Sequence, residues 1–200
     1  MFRTLPLFLF GILLISACRE STIAPKVPSG WYGEHLQVAF HPVSKELSAI
    51  YSNPAIERDS CPIYLVGKML GPKANLISWQ VDKRKHKAFG IVQYEENGQL
   101  SIVLEADLNP CHEVQGFEQD HIRTFQLSEA ESWIRIQTVK RASTVLRAAP
   151  NSTDSLLTLQ RYDIVRTLQQ QADWVQVSVP GDSIETLGWL PIAHLRRFPG

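Results

Sequence analysis

The sequence predicts a mainly β protein in which an antiparallel meander, able to close into a barrel, is followed by a smaller β module. Three observations carry that expectation. From Trp31 onward apolar residues recur at every second position in short runs, the period of a strand with one buried face. Turn-forming residues punctuate these runs, most clearly Asn97-Gly98, a pair able to adopt positive φ between two alternating segments. The segment Asp154 to Asp173, which lacks Gly and Pro and could be a capped helix, does not gather Leu156, Leu159, Ile164 and Val165 into one stripe, and its flanks read as strands.

Taken in order, Leu36, Val38 and Phe40 form the first run, and Leu47, Ala49 and Tyr51 follow across a short turn. Ile63 and Leu65 continue after Cys61. Ile77, Trp79 and Val81 form the next run, then Phe89, Ile91 and Gln93, and beyond Glu96-Asn97-Gly98 come Leu100, Ile102 and Leu104. Asn109-Pro110 ends that strand, and His121 to Gln126 and Trp133 to Val139 offer two more around Ser128-Glu129-Ala130-Glu131. Seven or eight short strands result. A closed barrel or a curled sheet would each protect the edges, and the pattern does not choose between them.

Ahead of the meander, Met1 to Cys18 combines one cation, an apolar run from Leu5 to Ile15 and a small-residue exit, the layout of a secretory leader too short to span a bilayer. Ile15-Ser16-Ala17-Cys18 resembles the bacterial lipobox. That resemblance implies a diacylglycerol on the Cys18 sulfur, cleavage before it and acylation, for instance by palmitate, of the new amine. Each buried methylene contributes about 0.8 kcal/mol and more than one chain is needed for stable anchoring, a requirement that a triacylated cysteine exceeds. Arg19 stands where an aspartate would favour retention at the inner membrane, so the expectation is an outer-membrane anchor facing the periplasm. Arg19 to Gly30, with Ser, Thr, two prolines and a glycine, reads as a tether. The domain expectation is a leader over 1–17, a tether over 18–30, a β-rich domain over 31–138 and a second domain over 139–200.

Twenty Lys and Arg balance twenty Asp and Glu in the 200 residues, which gives no reason to expect a nucleic-acid partner. The basic cluster Lys83-Arg84-Lys85-His86-Lys87 reads as a solvated hairpin loop. Besides Cys18 the chain has Cys61 and Cys111, and in an oxidising envelope their natural state is a disulfide. Closing a loop of about 50 residues stabilises by roughly 4 kcal/mol at most in the chain-entropy model. A Cys111-His112 nucleophile or metal site is the alternative, but neighbours on a strand point apart and the chain lacks Cys-x-x-Cys and His-Glu-x-x-His patterns.

Near the C-terminus come Ser143-Thr144-Val145-Leu146-Arg147-Ala148-Ala149-Pro150, Leu159 to Leu168, Asp173-Trp174-Val175-Gln176-Val177 and Gly188-Trp189-Leu190, followed by Ile192 to Leu195. Their order resembles the bacterial SH3 family over about one third of the chain. The resemblance implies a small β-barrel ending in a short helical turn, and a role in wall targeting, spacing or protein binding. Leu190 stands where valine is common, and Val179 to Thr186 is a longer loop. The polyproline-groove signature of eukaryotic relatives is absent, so Trp174 and Trp189 are expected mainly as packing residues. If a groove exists, Arg161 and Tyr162 would join them.

His35, His41, His86, His112, His121 and His194 form no recognisable catalytic set. The expectation is a non-enzymatic, lipid-anchored envelope protein without a cofactor beyond the covalent lipid. It would bind a protein partner, for example as an immunity or inhibitor lipoprotein. Two alternatives stay open: a peptidoglycan-docking module that uses the SH3-like domain, and a carrier for a small apolar ligand inside the meander.

Overall fold

A computed structural model describes residues 27–52, 62–80, 87–107, 117–181 and 184–196. The segment expected to be a leader, Cys18, most of the expected tether, Cys61, Cys111 and residues 83–86 of the basic cluster lie outside the described residues. Eight strands form a closed antiparallel barrel in simple up-and-down order: β1 (Ser29–Tyr32), β2 (Leu36–Phe40), β3 (Glu46–Tyr51), β4 (Ile63–Leu70), β5 (Lys73–Gln80), β6 (Lys87–Tyr94), β7 (Gln99–Leu104) and β8 (Arg123–Glu131). Closure settles the alternative that the pattern left open. It comes from β1 pairing with β8, Ser29 opposite Glu131 and Gly30 opposite Ala130. At Gly30 an added Cβ would lie 2.0 Å from the Glu129 carbonyl oxygen, so only glycine allows the two strands to meet there.

The tether was expected to reach Gly30, but the barrel starts earlier. Val27 is buried in the barrel core and the Ser29 hydroxyl accepts a hydrogen bond from the Phe40 amide at 2.9 Å. An apolar side chain next to a proline gave no alternation to read, yet its burial orders the entry.

The barrel interior holds Tyr32, Leu36, Val38, Phe40, Leu47, Tyr51, Leu65, Leu76, Leu100, Leu104 and Phe117, packed on one another. Fully burying a side chain of this size contributes about 1.5–3 kcal/mol. Small residues, Ala74, Ala88 and Gly90, stand among these large ones, Gly90 packing directly against Leu104. On β6 the inward positions are therefore Ala88, Gly90 and Val92, while the more hydrophobic Phe89 and Ile91 point outward. The Asn97-Gly98 turn is present between β6 and β7: Gly98 has φ 84°, and the Gln99 amide donates to Asn97 Oδ1 at 3.0 Å.

The second unit is a six-stranded antiparallel sheet of β9 (Arg135–Thr138), β10 (Ser143–Arg147), β11 (Ser155–Gln160), β12 (Ile164–Gln171), β13 (Trp174–Val179) and β14 (Thr186–Pro191), in the order β11-β10-β14-β13-β12-β9. A 3-10 turn, Ile192–His194, follows β14. Asp154 to Asp173 is thus two strands joined by a turn, not a helix. The sheet curls around Val139, Leu146, Leu159, Val165, Val175, Val177, Leu190 and Leu195, and a bridge between Val139, just after β9, and Leu195, just after the 3-10 turn that follows β14, ties the β9 edge back to the rest. The sequence expectation groups β9 with the first domain and sets the boundary at 138/139. Strand β9 pairs with β12, so the crossing from one sheet to the other falls before Arg135. No turn residue marks that crossing, because Trp133 and Ile136 stay apolar to fill the contact between the two units.

Candidate binding surfaces

The two units are joined by a packed seam. The outward faces of β2 to β5 present Ala39, Ile50, Tyr64, Val66 and Trp79 to Trp133 and Ile136, with Ile164 and Leu168 at its margin. Strand β9 lies against this wall through polar ties as well. The Ile136 amide donates to Ser48 Oγ at 2.9 Å, the Tyr64 hydroxyl donates to the Ile136 carbonyl, and Arg135 Nε reaches Glu46 at 3.2 Å. Burial holds the Tyr64 hydroxyl well above the ordinary tyrosine range, so it stays a proton donor.

Arg166 is the centre of the seam. It is buried, with its guanidinium 5.2 Å from the Trp31 ring and 4.7 Å from the Trp133 ring. Its Nε donates to Gln37 Oε1 at 2.8 Å, and Nη1 donates to Glu185, which also accepts the Ser178 hydroxyl at 2.6 Å. Desolvation lowers its proton affinity while Glu185 and Glu131 oppose that effect. No motif announces this arrangement. The arginine and its two tryptophans are far apart in sequence, and only the pairing of the two sheets brings them together.

Trp174 and Trp189, singled out as candidates from the sequence, do share a face. Trp174 is paired with Pro191 and Gln176 with Trp189, while Arg147 on β10 is paired with Trp189 from the other side. Alternation places Trp174, Gln176, Trp189, Pro191 and Arg147 on the outer side, opposite the buried Val175, Val177 and Leu190. Both tryptophans are half-buried. They are therefore neither core residues nor fully free.

Arg161 and Tyr162 do not join them. Both lie in the turn between β11 and β12, where Tyr162 has φ 79° and packs toward the seam under Arg196, whose guanidinium is 4.6 Å from its ring. Arg161 is exposed and stacks on the same ring at 5.3 Å. The structure thus keeps the tryptophan pair and separates it from the other two. Cys18, Cys61 and Cys111 lie outside the described residues.

Two further surfaces were not legible beforehand. Outward residues of β6 and β7 extend the seam's apolar wall into solvent, with Phe89 opposite Ile77 and Ile91 opposite Val103. At one end of the barrel, the β2–β3 and β4–β5 turns expose Val43 and Leu70. Among the described residues no three His, Cys, Asp or Glu come together as a potential metal site, and no helix is long and apolar enough to cross a membrane. No family model, curated protein or solved structure matches the chain.

Proposed function

We propose that the chain is a non-enzymatic envelope lipoprotein, anchored through lipid on Cys18, that binds a protein partner through the outer face of β13 and β14. One observation carries the binding part: Trp174 and Trp189 stand half-buried on a single face with Arg147 and Pro191. Tryptophan and arginine are the residue types that dominate binding energy at protein interfaces, because each offers a large rigid contact with a polar handle. The order of cues from Ser143 to Leu195 and the small curled sheet they form support an SH3-like reading of this unit. The leader and lipobox support the anchor, and Arg19 supports the outer membrane, facing the periplasm. An immunity or inhibitor lipoprotein is the concrete version of this reading.

A photo-crosslinking amino acid in place of Trp189, in the full chain expressed in its envelope, tests the surface. The expected result is one defined protein adduct that is lost on Arg147→Glu and absent when the crosslinker replaces the exposed Thr124 on the barrel. Equal adducts at both positions, or none at Trp189, would refute it. The peptidoglycan reading uses the same tryptophan face. Sedimentation with purified sacculi that is abolished by Trp174→Ala, with no protein adduct, would favour it instead. The ligand-carrier reading finds less support, since the inward positions of the barrel are occupied by large side chains in mutual contact.

A further inference from the structure

Strand directions place several features at one end of the barrel. The chain enters β1 there, since Ser29 lies beside Phe40. The β2–β3 turn, Pro42-Val43-Ser44-Lys45, leaves from the same end, and so does the β4–β5 turn, Leu70-Gly71-Pro72. The two turns are tied together, because the Met69 amide donates to the Lys45 carbonyl at 2.8 Å. Their apices hold the two described aliphatic side chains Val43 and Leu70, at 85% and 75% exposure, far more open than a strand face would leave them. Beside them stand Lys45 and the exposed Lys68 and Lys73. Of the carboxylates at this end, Glu46 is taken by Arg135 at 3.2 Å. Glu95 and Glu96 sit on the next turn round, Glu95 accepting from Gln93, and Glu129 and Glu131 lie on β8, separated from β2 by β1. The side formed by the β2–β3 and β4–β5 turns is therefore cationic with two apolar points.

We infer that this end of the barrel rests on an anionic bilayer, with Val43 and Leu70 entering the interface and Lys45, Lys68 and Lys73 meeting lipid phosphates. The inference rests on the lipid-anchor reading. About eight residues separate Cys18 from Val27, and at no more than ~3.5 Å each they hold the barrel's entry within about 30 Å of the anchored cysteine. A short tether supplies a high local concentration of membrane, so a weak surface contact suffices to orient the barrel. Cations near an anionic surface and apolar tips buried at the headgroup boundary are the two contributions such a contact needs.

The test uses the full chain, processed in a bacterial host and reconstituted into vesicles of phosphatidylglycerol and phosphatidylethanolamine. Mass spectrometry first reads the lipid on Cys18. Acetylation of lysines by a water-soluble reagent is then followed residue by residue, with Lys87, at the opposite end of the barrel, as the reference. Lys68 and Lys73 should react roughly threefold or more slowly in anionic vesicles than in purely zwitterionic ones, as the attraction of each cation to an anionic surface predicts. The double variant Val43→Ser, Leu70→Ser should abolish that slowing, and its substitutions lie at exposed apices where folding does not depend on them. A lipidated chain whose Lys68 and Lys73 react at the same rate in both vesicles overturns the docking and leaves the anchor standing. A Cys18 without lipid overturns the anchor and the docking with it.

Discussion

Replacing Arg166 by methionine tests whether the seam is held by one buried cation. The substitution keeps much of the apolar stem but ends three heavy atoms short of the guanidinium, so the loss of packing at the stem is small and the charged group is what is removed. It removes the charge from between Trp31 and Trp133, where each ring contributes about 1 kcal/mol to a desolvated cation. It also strands Gln37 Oε1, which is buried and loses its donor, a penalty of about 1–3 kcal/mol. Glu185 loses a partner at little cost, being 49% exposed and still bonded to the Ser178 hydroxyl. The sum is about 3–5 kcal/mol, the range for breaking a buried charged pair from its buried side. In a protein of this size that lowers the melting midpoint by roughly 6–20 °C. Differential scanning calorimetry of Arg166→Met beside Glu185→Gln measures it, and the second variant should cost no more than about 1 kcal/mol because its carboxylate is solvated. An Arg166→Met midpoint within 2 °C of the parent, or equal losses in the two variants, would refute the assignment of the buried cation as the tie.

Other outcomes follow from the same geometry. Gly90→Ala should destabilise by about 1–3 kcal/mol in urea titration, because its Cβ would lie 2.1 Å from the Val103 carbonyl oxygen and 2.6 Å from Leu104 Cδ2, and the barrel wall cannot retreat. His41 and His194 are both held below the usual 6.5, first by burial and then by Arg135 or by Arg141 and Lys140. The neutral ring is therefore the native form, accepting from the Ser44 amide at His41 and bonded to Thr144 at His194. As pH falls through 6.5 the unfolded chain takes up protons first, so stability drops below that value, and the double variant His41→Asn, His194→Gln should flatten the decline in midpoint between pH 6.5 and 5. If Cys61 and Cys111 are paired as the sequence suggests, a non-reducing digest of protein produced in an oxidising compartment gives one peptide linking them, and reduction lowers stability by up to roughly 4 kcal/mol.

Alternation made most strands readable because one face of each is buried in a common interior. It misled on β6, where Phe89 and Ile91 are the obvious apolar pair yet point outward, while Ala88, Gly90 and Val92 fill the barrel. A closed barrel of this size cannot take a large residue at every inward position: with Leu76 on β5 and Leu100, Ile102 and Leu104 on β7 pointing in, β6 between them contributes small ones, and a pattern read strand by strand cannot see that balance. The same blindness hid the seam: Trp79 and Tyr64 are apolar residues on the barrel's outer wall, and their partners Trp133 and Ile136 belong to another sheet. Of the candidate residues, Trp174 and Trp189 came together because they stand on adjacent strands whose cues were in the sequence. Tyr162 went elsewhere because its left-handed backbone turns it toward the first unit.

Closure of β1 on β8 has a consequence for the order of events in the cell. The Ser128 hydroxyl reaches the carbonyl oxygens of Trp31 and Gly33 across 97 and 95 residues. The first strand therefore has no second neighbour until the chain has been delivered past Glu131. Contacts of such separation form slowly, since a long loop must close before any of them is rewarded. Folding of this protein is thus a race between completing the chain and shielding the first strand's open edge, and slow delivery of the residues up to Glu131 would be felt first as aggregation through β1.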